Sequence, residues 1–164
     1  MDGSQPAIIV FCLLMIIAGA GDAMMMRIPN RLTILISALF LPAALASGMA
    51  PADIWVHFAS GLALLVPGYL LFRFGYIGGG DAKLIAAAGL WLGFPCSAIF
   101  LVLTALSGGV LALAMSVWFV FNVEAGLRSD RLGRLFLSFS PDIPYGFAIA
   151  AGAILATPYS WYST

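Results

Sequence analysis

From Leu84 to Val123 the chain carries no charged side chain. One crossing of a bilayer's hydrocarbon core takes about 20 residues, so this run is about twice the length of a span. Its best internal turn is "GFPCS", Gly93 to Ser97, where Gly and Pro interrupt the helical pattern. Two apolar helices, folded back on each other, are predicted from this stretch. Four further uncharged runs, Gly3–Gly21, Leu32–Ala52, Ile54–Phe72 and Ile143–Thr164, each suit one more helix. The expected fold is all-α, a polytopic membrane protein of about six transmembrane helices. Composition agrees: 63% of residues are hydrophobic and 9% charged, against roughly 25% charged in soluble domains. That leaves too little polar surface to coat a water-soluble globule. There is no internal repeat, and residues 1–164 read as one transmembrane domain.

The basic residues orient it. Arg27 and Arg31 follow the first run, Arg73 and Lys83 bracket the third loop, and Arg128, Arg131 and Arg134 lie in the fifth. With six helices all of them fall on one side of the membrane, which the positive-inside rule makes cytoplasmic. Both termini then lie outside. The first run lacks a basic n-region and a small-residue cleavage site, so it reads as a retained helix. "LRSDRLGRLFLSFSPD", Leu127 to Asp142, suits either an interfacial amphipathic helix or an ordinary charged loop. Net charge is zero and the basic residues are scattered, which excludes a nucleic-acid surface. Cys12 and Cys96 form no CxxC pair, so no metal site is expected; buried free thiols are expected, with a disulfide between them as the alternative.

Among seven acidic residues, Asp2, Asp53, Glu124 and Asp130 fall in tails or loops, and Asp142 precedes Pro144 at a helix start. Asp22 and Asp81 differ, because each adjoins apolar helix on the same side of the membrane. A carboxylate near hydrocarbon costs several kcal/mol unless it is neutralised or faces a wet interior. Plain roles exist for both: Asp81 starts a helix and suits a cap, and Asp22 has Arg27 within reach as an ion-pair partner. Asp81 also has helix N–H groups and the positive dipole end beside it, whereas Asp22 lies where the first helix ends and the dipole opposes an anion. Two spans separate the acids, so they share one face and similar depth. A close carboxylate pair shares a proton and can activate one water between them: one member takes its proton, and the other polarises a carbonyl. Gly78, Gly79 and Gly80 let the backbone turn sharply and approach a ligand.

"GGGDAKL" (Gly78–Leu84) resembles the GxGD signature of intramembrane aspartyl proteases. "DAMMMRIPN" (Asp22–Asn30) resembles the first-aspartate motif of the type IV prepilin peptidases, and "IPYGFAIAAG" (Ile143–Gly152) their last-helix PYG segment. The motifs occur in that family's order. The resemblance implies Asp22 and Asp81 as catalytic residues, no cofactor, and a site facing the cytoplasm of a bacterial inner membrane. It implies prepilin or pseudopilin precursors as partners, cut behind a short basic leader. The cysteine-bearing domain of the larger, bifunctional members is absent between the early helices. The chain resembles the short form associated with Flp, or tight-adherence, pili, and N-methylation is not expected. The Met24–Met26 run departs from the family's more polar pattern there.

Around the acids, Pro29 and Asn30 are expected to turn the chain into helix 2, with Asn30 as its N-cap. Lys83 suits substrate binding, tuning of the acid pair or a membrane anchor. Tyr145 and Gly146 suit either lining of the site or close helix packing. His57 reads as a satisfied or interfacial histidine. Buried carboxylates also serve proton- or cation-coupled transporters, and a non-catalytic pilus assembly subunit would need them only as partners for another chain.

Overall fold

A computed structural model describes residues 4–124 and 144–160. The Leu127–Asp142 stretch, with its three arginines, lies outside these residues, as do Asp2, Asp130 and Asp142. The order is α1 (Ser4–Met25), α2 (Asn30–Ala46), α3 (Pro51–Arg73), α4 (Gly79–Glu124) and α5 (Tyr145–Ala156), followed by a 3₁₀ turn, Thr157–Tyr159. The described residues contain five helices and no strand.

Local chemistry sets the ends. Both α2 and α3 finish in Schellman motifs on left-handed glycines, Gly48 (φ 73°) and Gly75 (φ 79°). At α2, Gly48 N–H bonds Leu45 O and Met49 N–H bonds Ala44 O; at α3, Gly75 bonds Phe72 O and Tyr76 bonds Leu71 O. Pro51 opens α3, where its missing N–H costs nothing. Met26 closes α1 with φ 50°, a conformation that L side chains adopt at some cost.

The long run breaks where Gly and Pro were expected to turn it. Gly93 takes φ 75°, ψ 172° inside α4. Before the break α4 runs antiparallel to α3: Gly68 faces Ala82, Gly61 faces Leu90, and Gly93 meets the His57 ring. After it, α4 runs antiparallel to α5, with Thr104 against Gly152 and Ala148 near Gly108. Gly19 sets α1 against α5; a Cβ there would lie 2.9 Å from Ala150 Cβ. Bare glycine backbone lets helices approach closely, which matters where apolar solvent gives packing its main role.

Phe11, Met15, Ile36, Phe40, Leu84, Trp91 and Phe100 are fully buried between these helices. Phe11 stacks on Trp91 at 5.1 Å, and Trp91 Nε1–H donates to Ile36 O at 2.8 Å. His57 is a buried, satisfied histidine. Its Nδ1 lies 2.8 Å from Leu90 O, in the last turn before the break, and its ring stacks on Phe40 at 5.3 Å. Cys12 and Cys96 are both free thiols, but only Cys96 is buried; Cys12, expected to be buried, is half-buried on α1.

By length and apolarity, Gln5–Met25, Pro51–Arg73 and Gly79–Trp118 suffice to cross a membrane; Asn30–Ala46 and Tyr145–Tyr159 are shorter apolar helices. Three helices are thus long and apolar enough to cross, the third of them 40 residues long. Six would need both short helices and both limbs of α4 to cross. Arg27, Arg31, Arg73 and Lys83 lie where α1 ends, α2 begins, α3 ends and α4 begins, so they share one end of the bundle.

Candidate active site

Asp22 stands in the last turn of α1 and is 7% exposed. Its Oδ2 accepts the Gly146 backbone N–H at 2.8 Å. Gly146 is in the first turn of α5, where N–H groups lack intrahelical partners and the helix dipole is positive. The support that α1's own C-terminal end denies Asp22 therefore comes from α5. This partner takes the place of the ion pair that the sequence left open as an alternative: Arg27 lies exposed beyond the end of α1. A Cβ on Gly146 would lie 2.8 Å from Asp22 Cβ, Cγ and Oδ2, so no larger residue fits. Gly146 thus supplies both the donor and the space. Tyr145, the first residue of α5, is exposed.

Asp81 is in the first turn of α4 and partly exposed. Its Oδ2 accepts Gly78 N–H at 3.2 Å, the arm of a capping box that reaches from the first turn back to the residue before the helix. The capping role open to Asp81 from its sequence position is thus filled. One such bond leaves most of the carboxylate's acceptor capacity for other partners. Both acids consequently sit at helix N-termini, Asp81 on its own helix and Asp22 on another.

The three glycines turn the chain without left-handed backbone. None has positive φ; the left-handed residue of this loop is Gly75. Instead each lets the chain's own atoms come close. A Cβ on Gly78 would meet Asp81 Oδ2 at 2.8 Å, one on Gly79 the Phe72 ring at 3.0 Å, and one on Gly80 Ile28 Cβ at 3.1 Å. The Gly80–Ile28 approach brings the start of α4 onto the connection that follows Asp22. Asn30 is not the N-cap of α2: Pro29 holds that position, with no side-chain cap bond. The Asn30 carboxamide is engaged elsewhere, its Oδ1 accepting from Lys83 Nζ at 2.8 Å. Asp22 and Asp81 are close enough for their charges to act on each other.

A cavity of about 530 Å³ lies at the far end of the bundle, lined by Ser47, Asp53, His57 and Cys96 among others. The acid pair does not share it. Among the described residues no group of three or more His, Cys, Asp or Glu side chains is placed to hold a metal. Ile28 and Phe72 had not been anticipated as neighbours of the glycines. "RIPN" and the aromatic end of α3 hold no chemical signal beyond their position beside the two acidic motifs.

An all-helical chain with three helices long and apolar enough to span a membrane defines a class, the membrane-type helical proteins. Within that class, the chain matches the type IV leader peptidase family over residues 9–113, a span that includes both acids, and it belongs to that family. It is 32% identical over 158 residues to the prepilin leader peptidase/N-methyltransferase of Bacillus subtilis (strain 168). That match takes in 92% of this chain and 54% of the relative, so the chain spans about half of the relative's length. No solved structure matches it.

Proposed function

We propose that the chain is an aspartic endopeptidase of the bacterial inner membrane, with Asp22 and Asp81 activating the attacking water. Its substrates are type IV, Flp-like prepilins or pseudopilins, cut behind their short basic leader at the cytoplasmic face. The bundle crosses the bilayer six times, α4 crossing twice about Gly93, and the basic end of the bundle faces the cytoplasm. The observation that carries this reading is the pairing of the acids at one end of an apolar bundle. They lie on two different helices, and each accepts one backbone N–H from a helix start.

The chemistry needs two states in one pair. One carboxylate is ionised and takes a proton from water as the water adds to the scissile carbonyl. The other is protonated and donates to the carbonyl oxygen. The tetrahedral adduct then collapses, the leaving amine receives the proton held by the first carboxylate, and the shared proton returns. Gly78–Gly80, Tyr145 and Gly146 shape the site around these groups. The relative's name includes N-methyltransferase; the function proposed for this chain is peptide cleavage alone. In this chain α1 and α2 are joined by a short connection between Met25 and Asn30.

Co-expression with a pilin-like precursor, one carrying a Lys/Arg leader and a single apolar helix, is the test. The expected product is a shortened pilin, lost with Asp22→Ala and with Asp81→Ala. A precursor left at full length by the unaltered chain, or still cut by either variant, would overturn the proposal.

A further inference from the structure

We propose that the Asn30–Lys83 hydrogen bond is a clasp that sets the gap between the two carboxylates. Lys83 and Asn30 are thereby positioning residues, neither of them bound to substrate. This rests on the peptidase reading and adds to it how the pair is held.

The argument is geometric. Asp22 and Asp81 belong to α1 and α4, and no hydrogen bond joins their carboxylates among those described. Their separation is therefore set by whatever ties the end of α1 to the start of α4. The structure provides two ties. Gly80 packs on Ile28 with no room for a side chain, a Cβ there falling 3.1 Å from Ile28 Cβ. Lys83 Nζ, two residues past Asp81, donates to Asn30 Oδ1 at 2.8 Å. The first tie is apolar and excludes closer approach. The second is polar and directional and opposes separation. Asn30 opens α2 directly after Pro29, whose ring fixes φ at −63°, so a pull on Asn30 is carried along a stiff connection. Lys83 and Asn30 are both exposed, and a single exposed hydrogen bond biases a two-state equilibrium by only about fivefold. The clasp can therefore close the pair and still open as a substrate chain enters.

Two measurements test it. In the precursor-cleavage assay, Lys83→Met and Asn30→Leu should each lower kcat by up to about fivefold with KM little changed, since losing the bond shifts the population away from the closed pair by no more than that factor. The double variant should be no worse than either single one, and Lys83→Arg should recover most of the rate. A rise in KM with Lys83→Met and no effect of Asn30→Leu would make Lys83 a substrate contact and overturn the clasp. The second measurement needs no activity. Spin labels at Arg27→Cys and Tyr76→Cys, in a Cys12→Ala, Cys96→Ala background in lipid vesicles, report the distance between the α1–α2 corner and the loop before α4. The distribution should be narrow, broaden with Lys83→Met and with Asn30→Leu, and stay narrow with Lys83→Arg. An identical distribution in all four would refute the clasp even if cleavage is confirmed. Absence of cleavage by the unaltered chain would refute the peptidase reading and leave the distance result to decide the clasp.

Discussion

The two ends of the bundle treat polar groups in opposite ways. Around His57 they are absorbed into the core: the imidazole meets Leu90 O, Ser60 and Ser97 share a hydrogen bond at 2.8 Å, Trp91 reaches Ile36 O, and the rings stack. Around Asp22 and Asp81, each carboxylate accepts one backbone N–H from a helix start and keeps the rest of its capacity. A polar group whose bonding is complete specifies structure. One held in place with capacity left over is equipped to bind and react. On the proposed reading, the first end serves stability and the second chemistry.

The largest effect that would break the contrast is at the acids. Asp22→Ala and Asp81→Ala should each lower precursor cleavage by about 1,000-fold or more, the upper range for acid–base groups, while the thermal midpoint in detergent moves little. A large fall in that midpoint with cleavage retained would make the acids structural. Next comes Gly146→Ala, whose new methyl would be driven into Asp22. Cleavage should fall by about 10- to 100-fold through displacement of the carboxylate, again read by the precursor assay. Unchanged cleavage would mean that the close approach of α5 is dispensable.

The opposite end should answer in the opposite way. His57→Ala removes a ring packed on Phe40 and Gly93 and a partner of Leu90 O. It should cost about 2–4 kcal/mol of stability, measured as a lowered unfolding midpoint, with the activity of the folded fraction unchanged. The smallest effect is at the end of α1. Met26→Gly relaxes a left-handed residue and should alter stability by no more than about 0.5–1 kcal/mol in its favour, seen as a slightly raised midpoint.

Much of this was legible in the chain because it depends on neighbours in sequence. The break at Gly93, the all-helical class and the grouping of Arg27, Arg31, Arg73 and Lys83 follow from local composition and helix order. Boundaries slipped where a distant partner intervened. The first uncharged run stops at Gly21, yet α1 continues through Asp22 to Met25 because the α5 start accommodates the carboxylate. The second run extends to Ala52, yet α2 stops at Ala46, where Gly48 turns left-handed and ends the ladder. Asn30 could pass for a cap because its capture by Lys83 crosses 53 positions, and the Gly146–Asp22 bond crosses 124. Local patterns show which residue types are available; they do not show which helix end will arrive beside them.

The most direct measurement is single-turnover cleavage of a pilin-like precursor by the purified chain in lipid vesicles, comparing Asp22→Asn, Asp81→Asn and the double variant. If the two carboxylates act on one water as a unit, each single change should abolish almost all of the rate and the double change should add little more, as residues working together are strongly non-additive. A single variant that still cuts at close to the unaltered rate, or two losses that multiply in the double variant, would contradict the account.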